Sequence, residues 1–196
     1  MKIVNKNNSI VLLAESHNPT LFSDSFLINS KIISKLEEIN RNQTILTPLF
    51  VNIGFMDGAS LQLDSLRFII SSDNCEVIAN KAIAYIDALP HIKCSGIGIN
   101  FDYTISEYDF KSFFDKYNNC NATNLGNIFA FDMKFTHNHG ECFVKISLLN
   151  DSSAVFNFNF DYNISLVPFM DLDIKIANES KKNIIISNEF INKILG

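Results

Sequence analysis

The stretch Ser95-Gly96-Ile97-Gly98-Ile99-Asn100-Phe101-Asp102-Tyr103-Thr104-Ile105 decides the fold. From Ile97 onward every second side chain is apolar, and the residues between, Asn100, Asp102 and Thr104, are polar. Successive side chains of a β-strand point to opposite faces, so this segment has one face for a core and one for water. Strands of parallel sheets are buried on both faces and read as unbroken apolar runs. A two-faced strand therefore predicts an antiparallel sheet that is covered on one side.

Working outward, the same alternation recurs in three consecutive segments. They are residues 128–136 with Phe129, Phe131, Met133 and Phe135 inward, residues 141–149 with Cys142, Val144, Ile146 and Leu148 inward, and residues 154–164 with Phe156, Phe158, Phe160, Tyr162 and Ile164 inward. Together they predict a meander. Residues 9–16 form a first strand, stopped by His17-Asn18-Pro19. Residues 48–56 alternate through Leu49, Val51, Ile53 and Phe55 into Asp57-Gly58, a hairpin turn because glycine supplies positive φ cheaply, and 59–71 is the return strand.

Helical periodicity appears at residues 75–89, through Ile78, Ala82, Tyr85, Ile86 and Leu89, with Asp73-Asn74 as the cap and Pro90 as the stop. It appears again at 106–117, where Phe110, Phe113, Phe114 and Tyr117 follow i, i+3, i+4, i+7. A short helix is expected at 30–39, after an irregular segment 20–29 anchored by Leu21, Phe22, Phe26 and Leu27. Strands at 172–177 and 183–187 and a helix at 188–195 complete the reading. The expected class is α+β: a mainly antiparallel sheet of six to eight strands with three to four helices on one face, in a single domain of residues 1–196.

The deciding strand contains a repeat. Asn100-Phe101-Asp102-Tyr103-Thr104-Ile105-Ser106 returns as Asn159-Phe160-Asp161-Tyr162-Asn163-Ile164-Ser165, identical at six of seven positions. Alternation and a composition rich in Asn, Ile and Phe explain part of this. The identity of the polar positions points instead to an internal α-β-β-β duplication, with pseudo-repeats 30–105 and 106–165.

Composition removes several function classes. With 196 residues, 47% hydrophobic and 19% charged, the chain can build a globular core. Its formal net charge is −5 and its arginines are Arg41 and Arg67 alone. Nucleic-acid binding depends on clustered positive charge, so nucleic acid is not an expected partner. No apolar run approaches the ~20 residues of a membrane span, so no membrane association is expected. The polar start Met1-Lys2-Ile3-Val4-Asn5-Lys6 lacks a secretory leader, which predicts a cytoplasmic protein. Cys75, Cys94, Cys120 and Cys142 are scattered, as free thiols are in a reducing compartment.

Four constellations could carry chemistry. His137-Asn138-His139 at a hairpin tip, joined by His91 and Cys94, supplies the donor types of a four-ligand zinc site. The spacing matches no zinc finger, and His-Asn-His-Gly is also ordinary turn chemistry, so no cofactor is expected. Cys94 with His17 or His91 gives a nucleophile and a base only if the fold joins them, and no Gly-x-Ser-x-Gly elbow is present. Gly96 and Gly98 precede a strand rather than a helix, which is the wrong order for a phosphate loop and fits a bulge or close backbone approach.

Carboxylates come last. Asp102 and Asp161 hold equivalent places in the repeated motif, and two acids on neighbouring strands can hold a cation or work as acid and base. A solvated polar sheet face accounts for them more simply, because polar alternation on a half-exposed sheet needs no function. With Asn100 and Asn159 they define that face as the candidate binding surface, and Phe50, Phe143 and Leu149 fall on the second register of their own strands. The expectation is a non-enzymatic cytoplasmic interaction protein: an accessory subunit of a larger assembly or a homo-oligomer, its partner another protein or a second copy. The rival reading is a small hydrolase using the His/Cys or Asp groups, with or without a metal.

Overall fold

The computed structural model describes residues 1–118, 130–137, 140–169 and 172–196. The chain forms β1 (Lys2–Ala14), α1 (Asp24–Asn29), β2 (Ile39–Leu46), β3 (Val51–Phe55), β4 (Ser60–Leu63), β5 (Arg67–Ser72), α2 (Cys75–Ala88), β6 (Lys93–Ser106), α3 (Phe110–Asn118), β7 (Ala130–His137), β8 (Gly140–Asn150), β9 (Ser153–Pro168) and α4 (Asp173–Leu195). The strands make one sheet in the order β2-β3-β4-β5-β1-β6-β9-β8-β7, antiparallel at every pairing. The class is the expected α+β, with nine strands rather than six to eight.

The helices share one face. Ile10 and Leu12 of β1, Ile97, Ile99, Phe101, Tyr103 and Ile105 of β6, and Phe156, Phe158 and Phe160 of β9 are buried beneath them. Tyr85 of α2 stacks on Phe68 of β5 at 4.2 Å and lies 5.9 Å from Phe22, just ahead of α1. Phe113 and Phe114 of α3 meet Phe131 of β7, and Phe190 of α4 meets Phe135 and Phe158. The opposite registers carry no helix among the described residues. No helix among them is long and apolar enough to cross a membrane.

Five segments differ from the sequence reading. The first strand, expected at 9–16, runs from Lys2 to Ala14, because its polar start pairs with the end of β6 from Lys2↔Ser106 onward. The helix expected at 30–39 is not formed. The helix lies earlier, at α1, where the Ser23 hydroxyl accepts the Phe26 N–H as an N-cap, and the chain turns away at Lys31, φ 62°. Ile32 and Ile33 are buried outside regular structure. The return strand 59–71 is two strands, broken where the Asp64 carboxylate accepts the N–H groups of Leu66 and Arg67 and folds the backbone into a turn. β2 has a polar sequence without clean alternation. It pairs with β3 only at its ends, and its residues 41–44 bulge opposite Ile53 alone.

The largest difference is α4. The strands expected at 172–177 and 183–187 belong to one helix of 23 residues. Its buried positions, Ile176, Ser180, Asn183, Ser187, Ile191 and Leu195, fall at steps of three and four, which is helical spacing. Half of them are polar, so the period is invisible to a reading that counts only apolar residues. Ile184-Ile185-Ile186 reads locally as a strand because β-branched residues favour sheets.

The repeated motif lies on adjacent strands. In β6 and β9 Asn100 faces Asn159, Phe101 faces Phe158 and Ile99 faces Phe160. In an antiparallel pair this register places a local two-fold axis, normal to the sheet, between Asn100 and Asn159. The axis carries Phe101 onto Phe160 and Tyr103 onto Tyr162, and all four side chains are buried. Their surroundings differ in connectivity. β8 directly precedes β9, whereas β1, the neighbour of β6, comes from the start of the sequence.

Candidate functional site

The helix-free face is read strand by strand from the registers. One row runs Lys134 (β7), Phe143 (β8), Asn159 (β9), Asn100 (β6), Ser9 (β1), Ser71 (β5), Ser60 (β4) and Gly54 (β3). The Asn100 amide donates to the Ser9 hydroxyl at 3.0 Å. The row ends in a polar hollow lined by Asn7, Ser9, Gly58, Ser60, Ser71, Ser72 and Asp73. β1 reaches this register through a bulge between Lys6 and Ser9, where Asn7 takes φ 54° and gives its N–H to the Asp73 carboxylate at 2.9 Å.

Of the four polar residues expected on this face, Asn100 and Asp102 are half-buried, and Asn159 and Asp161 are exposed. Asn100 and Asn159 sit directly opposite each other. Asp102 faces Asn157, whose amide donates to its Oδ1 at 2.8 Å, and on its other side faces Lys6. Asp161 faces Gly98 and, on β8, Glu141. Asp102 and Asp161 are thus four residue steps apart along the pair, roughly 13 Å at 3.3 Å per residue. The structure does not bring them together. Glu141 is itself bonded to Lys134 at 2.6 Å, and that ammonium lies 5.0 Å from the Phe143 ring centre. Phe50, Phe143 and Leu149 are exposed.

The His and Cys residues occupy separate environments. His91 is exposed in the connection after α2, whereas Cys94 is fully buried and its Sγ approaches the Gly96 carbonyl at 3.2 Å. Burial pushes the Cys94 thiol upward, away from thiolate character. His137 ends β7, three strand spacings from β6, which is about 14 Å. His139 and Cys120 lie outside the described residues. Among the described residues no three His, Cys, Asp or Glu side chains group as metal ligands. Cys75, Cys94 and Cys142 are free thiols, and burial pushes Cys142 up to about 12.

His17 is 4% exposed and both its ring nitrogens are engaged. Nε2 lies 3.2 Å from the Leu12 carbonyl and Nδ1 lies 2.7 Å from the Tyr85 hydroxyl. A carbonyl can only accept, so Nε2 carries the proton and Nδ1 accepts from Tyr85. Burial lowers the affinity of the ring for a second proton. Neither nitrogen is left to activate a thiol. The Asp102, Asp161, His and Cys groups weighed for hydrolysis therefore remain dispersed over the described residues.

The sequence reading missed what stands beside the polar row. Ser9, Ser71 and Ser60 extend it across three further strands, and Asn157 ties Asp102 down. The next row is more apolar: Ile45 (β2), Asn52 (β3), Gln62 (β4), Ile69 (β5), Val11 (β1) and Gly98 (β6). The alternation Ile10-Val11-Leu12-Leu13 carries no polar contrast, so nothing local marks Val11 and Leu13 as facing out. No family model matches the chain, and no curated protein matches it in sequence.

Proposed function

We propose that this chain is a non-enzymatic interaction protein, a subunit or accessory part of a larger assembly or of a homo-oligomer, and that it engages its partner through the helix-free face of its sheet. What supports this is the asymmetry of the sheet. All four helices lie on one side, and the nine strands present the other without a covering element among the described residues. That face mixes small polar side chains with half-buried apolar ones, the composition of a recognition surface rather than of a reaction centre. The dispersal of the acid, base and thiol groups supports it further.

The test is capture with the tagged protein, comparing wild type with the double variant Asn100→Lys/Asp161→Lys on the exposed face. Both positions point away from the core, so circular dichroism of the variant should match wild type. A partner, or a second copy, that wild type retains and the variant loses supports the reading. A partner that the variant retains equally, or a turnover activity abolished by the same pair of changes, removes it.

A further inference from the structure

We infer that two copies of this chain join edge to edge along β7, antiparallel, about a two-fold axis that passes Met133 normal to the sheet, so that their sheets become one. The inference goes beyond the reading above, because it uses the edge of the sheet and not its helix-free face. The two edges of the sheet are built differently. β2 meets β3 only at its ends and bulges over residues 41–44, a form that discourages a further strand. β7 is regular. All eight of its residues, Ala130 to His137, stand in unbroken register with β8, and among the described residues no strand lies on its other side. Every second residue of an antiparallel strand turns its N–H and C=O away from a given neighbour, so β7 offers outward a row of backbone donors and acceptors that another strand can satisfy.

Side chains decide which strand that is. Asp132 and Lys134 are exposed on the helix-free side of β7, and Phe131, Met133 and Phe135 are half-buried on the helix side. The order Phe131-Asp132-Met133-Lys134-Phe135 is symmetric about Met133, except that its two charges are opposite. In an antiparallel pair centred on Met133, Phe131 faces Phe135 of the second copy, Asp132 faces Lys134 of the second copy, and Ala130 faces its Thr136. Opposed side chains stand about 5 Å apart, within reach of an ion pair. An axis at Asp132 would set carboxylate against carboxylate, and one at Lys134 ammonium against ammonium; like charges directly opposed destabilise a strand pair. The self-pairing therefore has one favoured register. An apolar strand from another source would leave both charges without a counter-charge, whereas a second copy supplies each with one.

The neighbours of β7 continue this pattern. Asp132 stands opposite Lys145 of β8 and is in no ion pair among the described residues, while Lys134 is paired with Glu141 of β8. Read across the axis, the charges run Lys145, Asp132, then Lys134 and Glu141 of the second copy, alternating in sign. On the helix side Phe131 stacks on Phe113 of α3 at 6.0 Å, and Phe135 stacks on Phe190 of α4 at 5.8 Å. Facing Phe131 with Phe135 joins the stack of one copy to that of the other and covers flanks that are half-open in the single chain. The contacts are reciprocal, as a two-fold interface demands.

Sedimentation analysis of the full chain over a concentration series tests this. Wild type should form a dimer with a dissociation constant in the micromolar range, because one edge pairing is a small interface. Asp132→Lys and Lys134→Asp, both at exposed positions, should each raise that constant about tenfold or more, with circular dichroism unchanged. An equimolar mixture of the two variants should dimerise again, since each reversed charge then faces its opposite. The double change Asp132→Lys/Lys134→Asp keeps the net charge of −5 and should restore self-association within one chain. A wild type monomeric up to about 0.1 mM, a dimer that both single changes leave intact, or a loss that either the mixture or the double change fails to repair overturns the inference. Capture through the helix-free face is compared in the Asp132→Lys background, where the edge is closed, so that the two inferences fail separately.

Discussion

His17 shows how a residue with catalytic potential becomes structural. Its ring is held neutral by burial, which outweighs the Leu12 carbonyl's pull towards protonation, and Nδ1 accepts from Tyr85, so protonation must break that bond. In the unfolded chain the imidazole titrates near 6.5, and in the fold its affinity for a proton is lower. The unfolded state therefore takes up a proton first. The stabilisation is complete above pH 6.5 and is lost as the pH falls below it. Melting temperatures between neutral pH and about pH 5 should fall for wild type. His17→Gln should be less stable at neutral pH, with a shallower dependence across that window; an equally steep fall would show that other groups control it.

The repeated phenylalanines make a second residue-scale expectation. Phe101 and Phe160 are 0% and 1% exposed, with ring centres 6.0 Å apart. Truncating either to alanine should cost about 3–5 kcal/mol in denaturant unfolding, from lost transfer and the cavity left behind. Asp161→Asn should stay within about 0.5 kcal/mol because its side chain stands in solvent. Asp102→Asn keeps an oxygen for the Asn157 amide and should behave alike.

At the scale of elements, what was legible follows from contrast. β6, β8 and β9 were readable because apolar and polar residues alternate along them, and α2 because its cap, its period and its stop agree. The polar candidates Asn100, Asp102, Asn159 and Asp161 were assigned to a face by that same alternation. Which of them become neighbours was not legible, because register between distant strands is set by pairing and a bulge, not by local pattern. α4 was misread because its buried stripe is half polar. One of those polar residues serves a repeated tyrosine: the Tyr162 hydroxyl donates to Asn183 Oδ1 at 2.9 Å, and the Ser187 hydroxyl donates to the Asn183 carbonyl at 2.9 Å. Tyr162→Phe removes the donor from a fully buried amide oxygen and should destabilise by about 1–3 kcal/mol. An unchanged unfolding midpoint would mean that α4 does not depend on this contact.

Across the whole molecule, acidity and order of assembly matter most. With a net charge of −5 and its two arginines paired to Asp24 and Asp64, the protein should show no salt-sensitive submicromolar complex with duplex DNA. A mobility shift that vanishes with added salt would count against this. The position of β1 has a consequence for how the protein is made. It is the earliest strand in the sequence, yet it stands in the middle of the sheet, between β5 and β6. Its first partner is synthesised about 60 residues later and its second about 90 residues later, as the pairs Ile10↔Ile70 and Ile10↔Ile99 require. During translation both edges of an apolar strand therefore wait unpaired, the arrangement that slows folding and invites trapping by other nascent chains. Ribosome-stalled chains ending before β6 should resist proteolysis poorly, and chains that expose β9 should resist it well. A chaperone that binds extended apolar segments would find a substrate in Ile10-Val11-Leu12-Leu13-Ala14.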